Sequence, residues 1–207
     1  GVNSDSVSDI AVDSNGNVHT TGYFTGIVDF DPSGGIANLT GAGQADVFVS
    51  KLNSNGDFVW AKGMGGTSNE FSNSIAVDTS GNVYSTGYFS GTADFDPGVV
   101  TANLNNLGGS DIFVSKLDSS GNFVWAKSMG GASEEAGVSI AVDSNFNVYT
   151  TGYFIGTVDF DPGAGTSNLT SAGGGEIFVS KLDNSGNFVW ARSMGGVSSD
   201  SGNSVAV

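Results

Sequence analysis

Ile10, Ile75, Ile140 and Val205 stand 65 residues apart, and the same step separates Trp60, Trp125 and Trp190, and the basic residues Lys62, Lys127 and Arg192. A period of a few tens of residues means that one supersecondary unit is stacked or arranged radially. The chain therefore reads as one unit written three times, followed by 12 residues that begin a fourth. Fold and function have to be read per unit, because a residue type that recurs at each step serves the unit before it serves any single site.

Within a unit, SIAVD, NVYSTGYF, DIFVSKLD and NFVWAKSMG are short and rich in β-branched and aromatic residues, as strands are. No stretch supports a helix. The first and second strands are joined by SNGN or TSGN, and the third and fourth by SNGD, SSGN or NSGN. In such turns Gly supplies positive φ, and Asn or Asp bonds its own backbone. Each unit is then two related hairpins in an antiparallel meander. Apolar positions on both faces of that sheet demand a neighbour on each side, and radial packing of four-stranded blades is the propeller solution. The segments IAVDSNGNVHTTGYF and DVFVSKLNSNGDFVWAKGMGG resemble the SBBP repeat of bladed β-propellers, seen in large secreted bacterial proteins. The DFDPG insert is similar to variants in Bacteroidetes surface proteins. The resemblance covers all three units and implies an extracellular blade with no established catalytic residues.

The expected fold is all-β, with propeller-like four-stranded blades in tandem, as an open array or as part of a larger propeller or filament. We expect an N-terminal link and first blade over 1–72, a second blade over 73–137, a third over 138–202, and the first strand of a fourth over 203–207. The strands should begin near Ser8, Asn73 and Val138. Propellers have 4 to 8 blades, so three do not close alone. Because copies of the same first strand stand at both ends, we expect self-association or further repeats, in this chain or beyond Val207.

Six basic against 21 acidic residues give a net charge of -15, which repels nucleic acid and anionic lipid and favours cations or basic partners. No stretch has the length of an apolar membrane span. Cysteine is absent, which excludes disulfides and thiolate metal sites and is compatible with an oxidising exterior. Catalysis needs a few dissimilar groups converging on one point. Here every Asp, Lys and Trp of interest recurs with the repeat, so an enzyme is the disfavoured class. The leading expectation is a non-enzymatic extracellular structural repeat protein, a surface scaffold or filament. The alternative is a calcium-dependent glycan- or protein-binding adhesion module.

The motif DFDP places Asp29 with Asp31, Asp94 with Asp96, and Asp159 with Asp161. Residues two apart on a strand face the same way, so each pair could offer oxygens to one Ca2+, a cation that takes 6 to 8 of them. Asp46, Asp111 and Glu176 are candidate further ligands. The competing reading is a strand end, with Phe30 buried and Pro32 opening a turn. In a meander this insert shares one end of the sheet with the inter-blade links, which carry Asp5, Glu70, Glu135 and Asp200, so an acidic face is expected there. Asp13, Asn15 and Asn17 superficially resemble a calcium loop but fit a hairpin turn better. His19 stands where Tyr84 and Tyr149 stand, an aromatic strand position. The three Trp residues read as blade core, with sugar stacking as the alternative. Lys51, Lys116 and Lys181 read as a solvated or salt-bridged face. Asn38 and Asn168 open sequons, and Ser6 lies in a short O-glycosylation-like triplet. Phe146 replaces Gly16 and Gly81 in a constant turn, which predicts an altered turn or an inter-blade or inter-chain contact.

Overall fold

A computed structural model of the chain describes residues 4–207, so residues 1–3 of the first expected unit lie outside it. The first repeat contains β1 (Ser6–Val12), β2 (Val18–Phe24), β3 (Ile27–Asp29), β4 (Asn38–Thr40), β5 (Asp46–Leu52) and β6 (Phe58–Gly66). The second contains β7 (Glu70–Val77), β8 (Val83–Phe89), β9 (Thr92–Asp94), β10 (Asn103–Asn105), β11 (Asp111–Leu117) and β12 (Phe123–Gly131). The third contains β13 (Ala136–Val142), β14 (Val148–Phe154), β15 (Thr157–Asp159), β16 (Asn168–Thr170), β17 (Glu176–Leu182) and β18 (Phe188–Met194). The fold is all-β. Its antiparallel blades, β1-β2-β5-β6, β7-β8-β11-β12 and β13-β14-β17-β18, are the expected meanders.

Several features depart from the expectation. The blades open at Ser6, Glu70 and Ala136, a little ahead of the positions read from sequence, because the strands start inside the acidic links. The DFDP insert also forms a hairpin of its own: β9 pairs with β10, and across the repeat boundary Asp94 and Ala93 pair with Gly65 and Gly66 of β6. Asp159 and Val158 pair likewise with Gly130 and Gly131 of β12. The second and third hairpins thus extend the preceding blades, which makes two continuous six-stranded sheets, while β3 and β4 form a two-stranded sheet of their own. Residues 203–207 form no strand. A first strand is made by pairing with the second of its own blade, and no such partner for 203–207 lies among the described residues.

All six long-strand turns share one construction. Asp13 N donates to Asn17 O (3.0 Å) and Gly16 N to Asp13 O (2.9 Å), and the same pair of bonds closes the turns at 53–57, 78–82, 118–122, 143–147 and 183–187. This is a three-residue hairpin loop ended by a residue with positive φ, 78° at Gly16 and 79° at Gly81. Phe146 adopts 64° in the same turn, with its N–H still bonded to Asp143 O at 2.9 Å. The expected change of turn does not occur, because the strands on either side dictate the loop.

The core is repeated as well. In the second blade Phe95 of the insert packs on Phe89 and Phe113, with ring centroids 5.7 and 4.8 Å away. Phe30 and Phe160 occupy the equivalent places. Neighbouring first strands are tied side to side: Asp9 Oδ2 accepts from Ser74 Oγ (2.8 Å) and Ile75 N (2.9 Å), and Ser74 Oγ accepts from Ile140 N (3.3 Å), while Ser139 Oγ of β13 accepts from Val205 N of the strandless final segment (3.2 Å).

Candidate functional site

The DFDP aspartates serve their own hairpins. Asp29 ends β3, and Asp31 has already left the strand, so the two are not successive same-face strand residues. Asp29 Oδ1 accepts from Asp31 N (3.0 Å) and Ala37 N (2.9 Å), and Asp31 Oδ1 from Ser33 N (2.7 Å). Asp94 and Asp96 repeat this arrangement with Asp96, Ala102 and Gly98. Asp159 and Asp161 repeat it with Asp161, Ser167 and Gly163. The two backbone donors, that of Ala37 foremost, hold the Asp29 carboxyl below its ordinary range. The Phe between the aspartates is the anchor, fully buried at Phe95 and Phe160 and partly buried at Phe30. Among the described residues no group of three or more His, Cys, Asp or Glu side chains is placed to hold a metal ion.

Across repeats the picture differs. Asp46 lines one cleft with Asp94, Asp96 and Lys62, so it meets the next repeat's aspartates instead of Asp29 and Asp31. Asp111 lines the equivalent cleft with Asp159 and Asp161. Asp46 Oδ2 accepts from Ala42 N (3.0 Å), Leu107 N donates to Asp111 Oδ2 (3.2 Å), and Ala172 N to Glu176 Oε2 (2.7 Å).

Deeper in the junction lies a feature that sequence reading missed. Glu70 and Glu135, expected on a solvated acidic face, are fully buried. One oxygen of each accepts from the glycine four residues earlier, Gly66 N at 2.8 Å and Gly131 N at 2.9 Å, and among the described residues the other oxygen of Glu70 has no hydrogen-bond partner. Asp200 Oδ2 takes Gly196 N (3.1 Å) in the same way. A β-carbon on Gly65 would collide with Asp46 and lie 2.7 Å from Glu70 Oε2, so both carboxylates converge above that glycine. Burial pushes Glu70 up to about 7 against the opposing bond from Gly66, and the charge of Asp46 adds to the rise. Burial likewise raises Glu135 to about 7 and Asp111 to about 6. The legible signal was the spacing of the GG pair four residues ahead of an acid.

At the opposite end of the blades the residues read as core or as a charged face join the repeats. Trp60 Nε1 donates to Ser119 O of the next repeat (3.3 Å), and Trp125 Nε1 to Asn184 O (3.1 Å). Both indoles are buried, with Trp190 only partly so, which leaves the first two no face for sugar stacking. Under each sits the next repeat's turn glycine: a β-carbon on Gly121 would lie 3.1 Å from Trp60, and one on Gly186 3.0 Å from Trp125. Lys51 and Lys116 are buried, so of the two expected settings the solvated one is excluded and the salt-bridged one is met at Lys51, which lies beside Asp13. Lys116 Nζ reaches Asn184 Oδ1 (2.6 Å) and lies 4.9 Å from the centre of the Tyr84 ring, while Lys51 Nζ lies 3.7 Å from Asp13. Lys181 lies over Tyr149. His19 takes the aromatic place of those tyrosines, against Trp60 and Asp13, and burial lowers its pKa. Asp13 receives the N–H groups of Asn15 and Asn17, which makes D-x-N-x-N a turn. Ser6, Asn38 and Asn168 are exposed on strands.

Residues 2–26 and 59–95 match the family described as the β-propeller repeat, SBBP. Over 216 aligned residues the chain is 26% identical to an uncharacterized WD repeat-containing protein of Acanthamoeba polyphaga mimivirus, covering 91% of this chain and 15% of that protein. Over 134 residues it is 28% identical to the regulatory protein FlaEY of Caulobacter vibrioides, covering 63% of this chain and 14% of that protein. The chain thus spans about one-seventh of the length of these relatives.

Proposed function

Given that the chain is an SBBP-type β-propeller repeat protein, we propose that it is a non-enzymatic structural scaffold, secreted or on the cell surface, in which stiffness and length are the useful properties. The observation that carries this reading is the use made of the reactive-looking side chains. Trp60, Lys51 and Glu70, with their copies, hold repeat to repeat or brace a link. Loops on a rigid β scaffold are the usual seat of recognition, yet here the second and third inserted hairpins are themselves paired to the preceding blade. The strong negative charge keeps such a surface soluble and repels nucleic acid.

A second reading is calcium-dependent adhesion to glycan or protein, favoured by the clefts that gather Asp46, Asp94 and Asp96. Two experiments separate them. Immunogold labelling of cells making the whole protein should place it outside the envelope, and the purified chain should give no specific signal on a glycan array with or without calcium. A saturable glycan signal that a chelator abolishes would replace the scaffold reading with the adhesive one.

A further inference from the structure

We infer that each joint between repeats holds a Ca2+ ion between two buried carboxylates, Asp46 with Glu70 at the first joint and Asp111 with Glu135 at the second. The inference goes beyond the scaffold reading and stands or falls apart from it. It also moves the cation away from the DFDP aspartates, whose oxygens serve their own hairpins, to a place where carboxylate oxygens are left over.

Glu70 is 0% exposed. Its Oε2 accepts from Gly66 N, and its Oε1 accepts nothing among the described residues. Asp46, 2% exposed, turns Oδ2 to the amides of Ala42 and Gly43 (3.0 and 3.4 Å), and its Oδ1 accepts no hydrogen bond among the described residues. A β-carbon on Gly65 would meet both Asp46 Oδ1 and Glu70 Oε2, so these oxygens lie within about 5 Å of one another, a gap that one Ca2+ bonded at roughly 2.3–2.6 Å spans. Glu70 Oε1 is on the same carboxyl and lies at the same gap. Each joint supplies two acids and no nitrogen or sulfur donor, which suits a hard cation. Water and main-chain carbonyls of the links make up the rest of its about 6 to 8 oxygens.

A buried carboxylate is costly unless it is paired, and the chain's own cations are used elsewhere. Lys51 and Lys116 reach the carbonyls of Ser119 and Asn184 (3.5 Å each) at the opposite end of the blades. The stems of Lys62, which borders the cleft beside Asp46, and of Lys127 run to the turn glycines Gly121 and Gly186 at that same end. What acts on Glu70 is the like charge of Asp46. A shared proton would join two of the three free oxygens at the first joint and leave the third unpaired, whereas a divalent ion takes all three. The second joint repeats the pair: Glu135 is equally buried, Gly131 N holds its Oε2, Asp111 fills the space over Gly130, and Asp111 and Glu134 both add like charge. Asp46 and Asp111 also line the surface clefts, which give the ion its way in.

The test is calorimetric unfolding of the full 207-residue chain at pH 8, where both glutamates are ionised, in excess chelator and then in millimolar calcium. Calcium should raise the midpoint by about 5 °C. Glu70→Gln with Glu135→Gln keeps the shape of the protonated acids and should abolish most of that rise. Asp46→Asn with Asp111→Asn should abolish it as well, which guards against a fault peculiar to the first variant. Asp96→Asn with Asp161→Asn should leave it intact. Equal midpoints in calcium and chelator would overturn the inference and leave a proton as what joins each pair. A rise that survives both joint variants, or that disappears with Asp96 and Asp161, would overturn it too and place the ion in the outer clefts. None of these outcomes decides the scaffold reading, which rests on the labelling and glycan experiments.

Discussion

Phe146 and Glu70 both sit where their residue type is disfavoured, for different reasons. Phe146 holds φ 64° in a turn that uses glycine at the corresponding places, and a bulky residue there costs about 1 kcal/mol. The conformation relaxes in Phe146→Gly, so its melting temperature should rise by roughly 2–4 °C in calorimetry. Glu70 and Glu135 carry raised carboxyl pKa values, about 7 against an ordinary 4.5. Between those two values the folded chain binds more protons than the unfolded one, so stability falls as pH rises through that window. The loss is complete above about pH 7. Below the ordinary carboxylate range the trend reverses, since Asp29 and Asp143, held low by backbone and Asn147 hydrogen bonds respectively, lose stabilising interactions on protonation. Thermal melts should therefore peak in mildly acidic buffer, and Glu70→Gln with Glu135→Gln should flatten the decline toward pH 8.

At the scale of strands and hairpins, the Trp clamp allows one substitution to be compared in three settings. Trp60→Ala and Trp125→Ala each remove a buried indole and its bond to the next repeat, at a cost of about 3–5 kcal/mol. Trp190→Ala removes a partly exposed ring and should cost well under half as much; urea denaturation of the three variants measures the ranking. The meander, its turns and the aromatic position of His19 were legible in the sequence, because alternation, Asn-Gly chemistry and the 65-residue step are local or periodic signals. The pairing of Asp94 with Gly65 was not, because a three-residue strand has too little pattern to announce itself and its partner lies in another repeat. Asp29 and Asp31 misled for a related reason: their spacing implies a shared face only while the strand continues, and it ends at Asp29. The burial of Glu70 was hidden because an acid in a polar link reads as solvated. What places it inside is the space left by Gly65, an effect of packing between segments.

For the whole molecule, stability belongs to the joints as much as to the blades, as in other quasi-one-dimensional repeat proteins. Each blade supplies its own meander, while the neighbour that follows supplies the carbonyl for its Trp and the partner for its last two strand residues. β18 shows the difference directly, ending at Met194 where β6 and β12 continue through a second glycine. These two supports come from the repeat that follows, whereas each first strand also leans on the repeat before it, as where Ile75 N donates to Asp9 Oδ2. On a ribosome, the repeat just synthesised would wait with its outer edge unpaired until the next hairpin emerged. Growth would then proceed like a zip whose slider always faces the exit tunnel, and a fault in one repeat would first be felt by the repeat made before it.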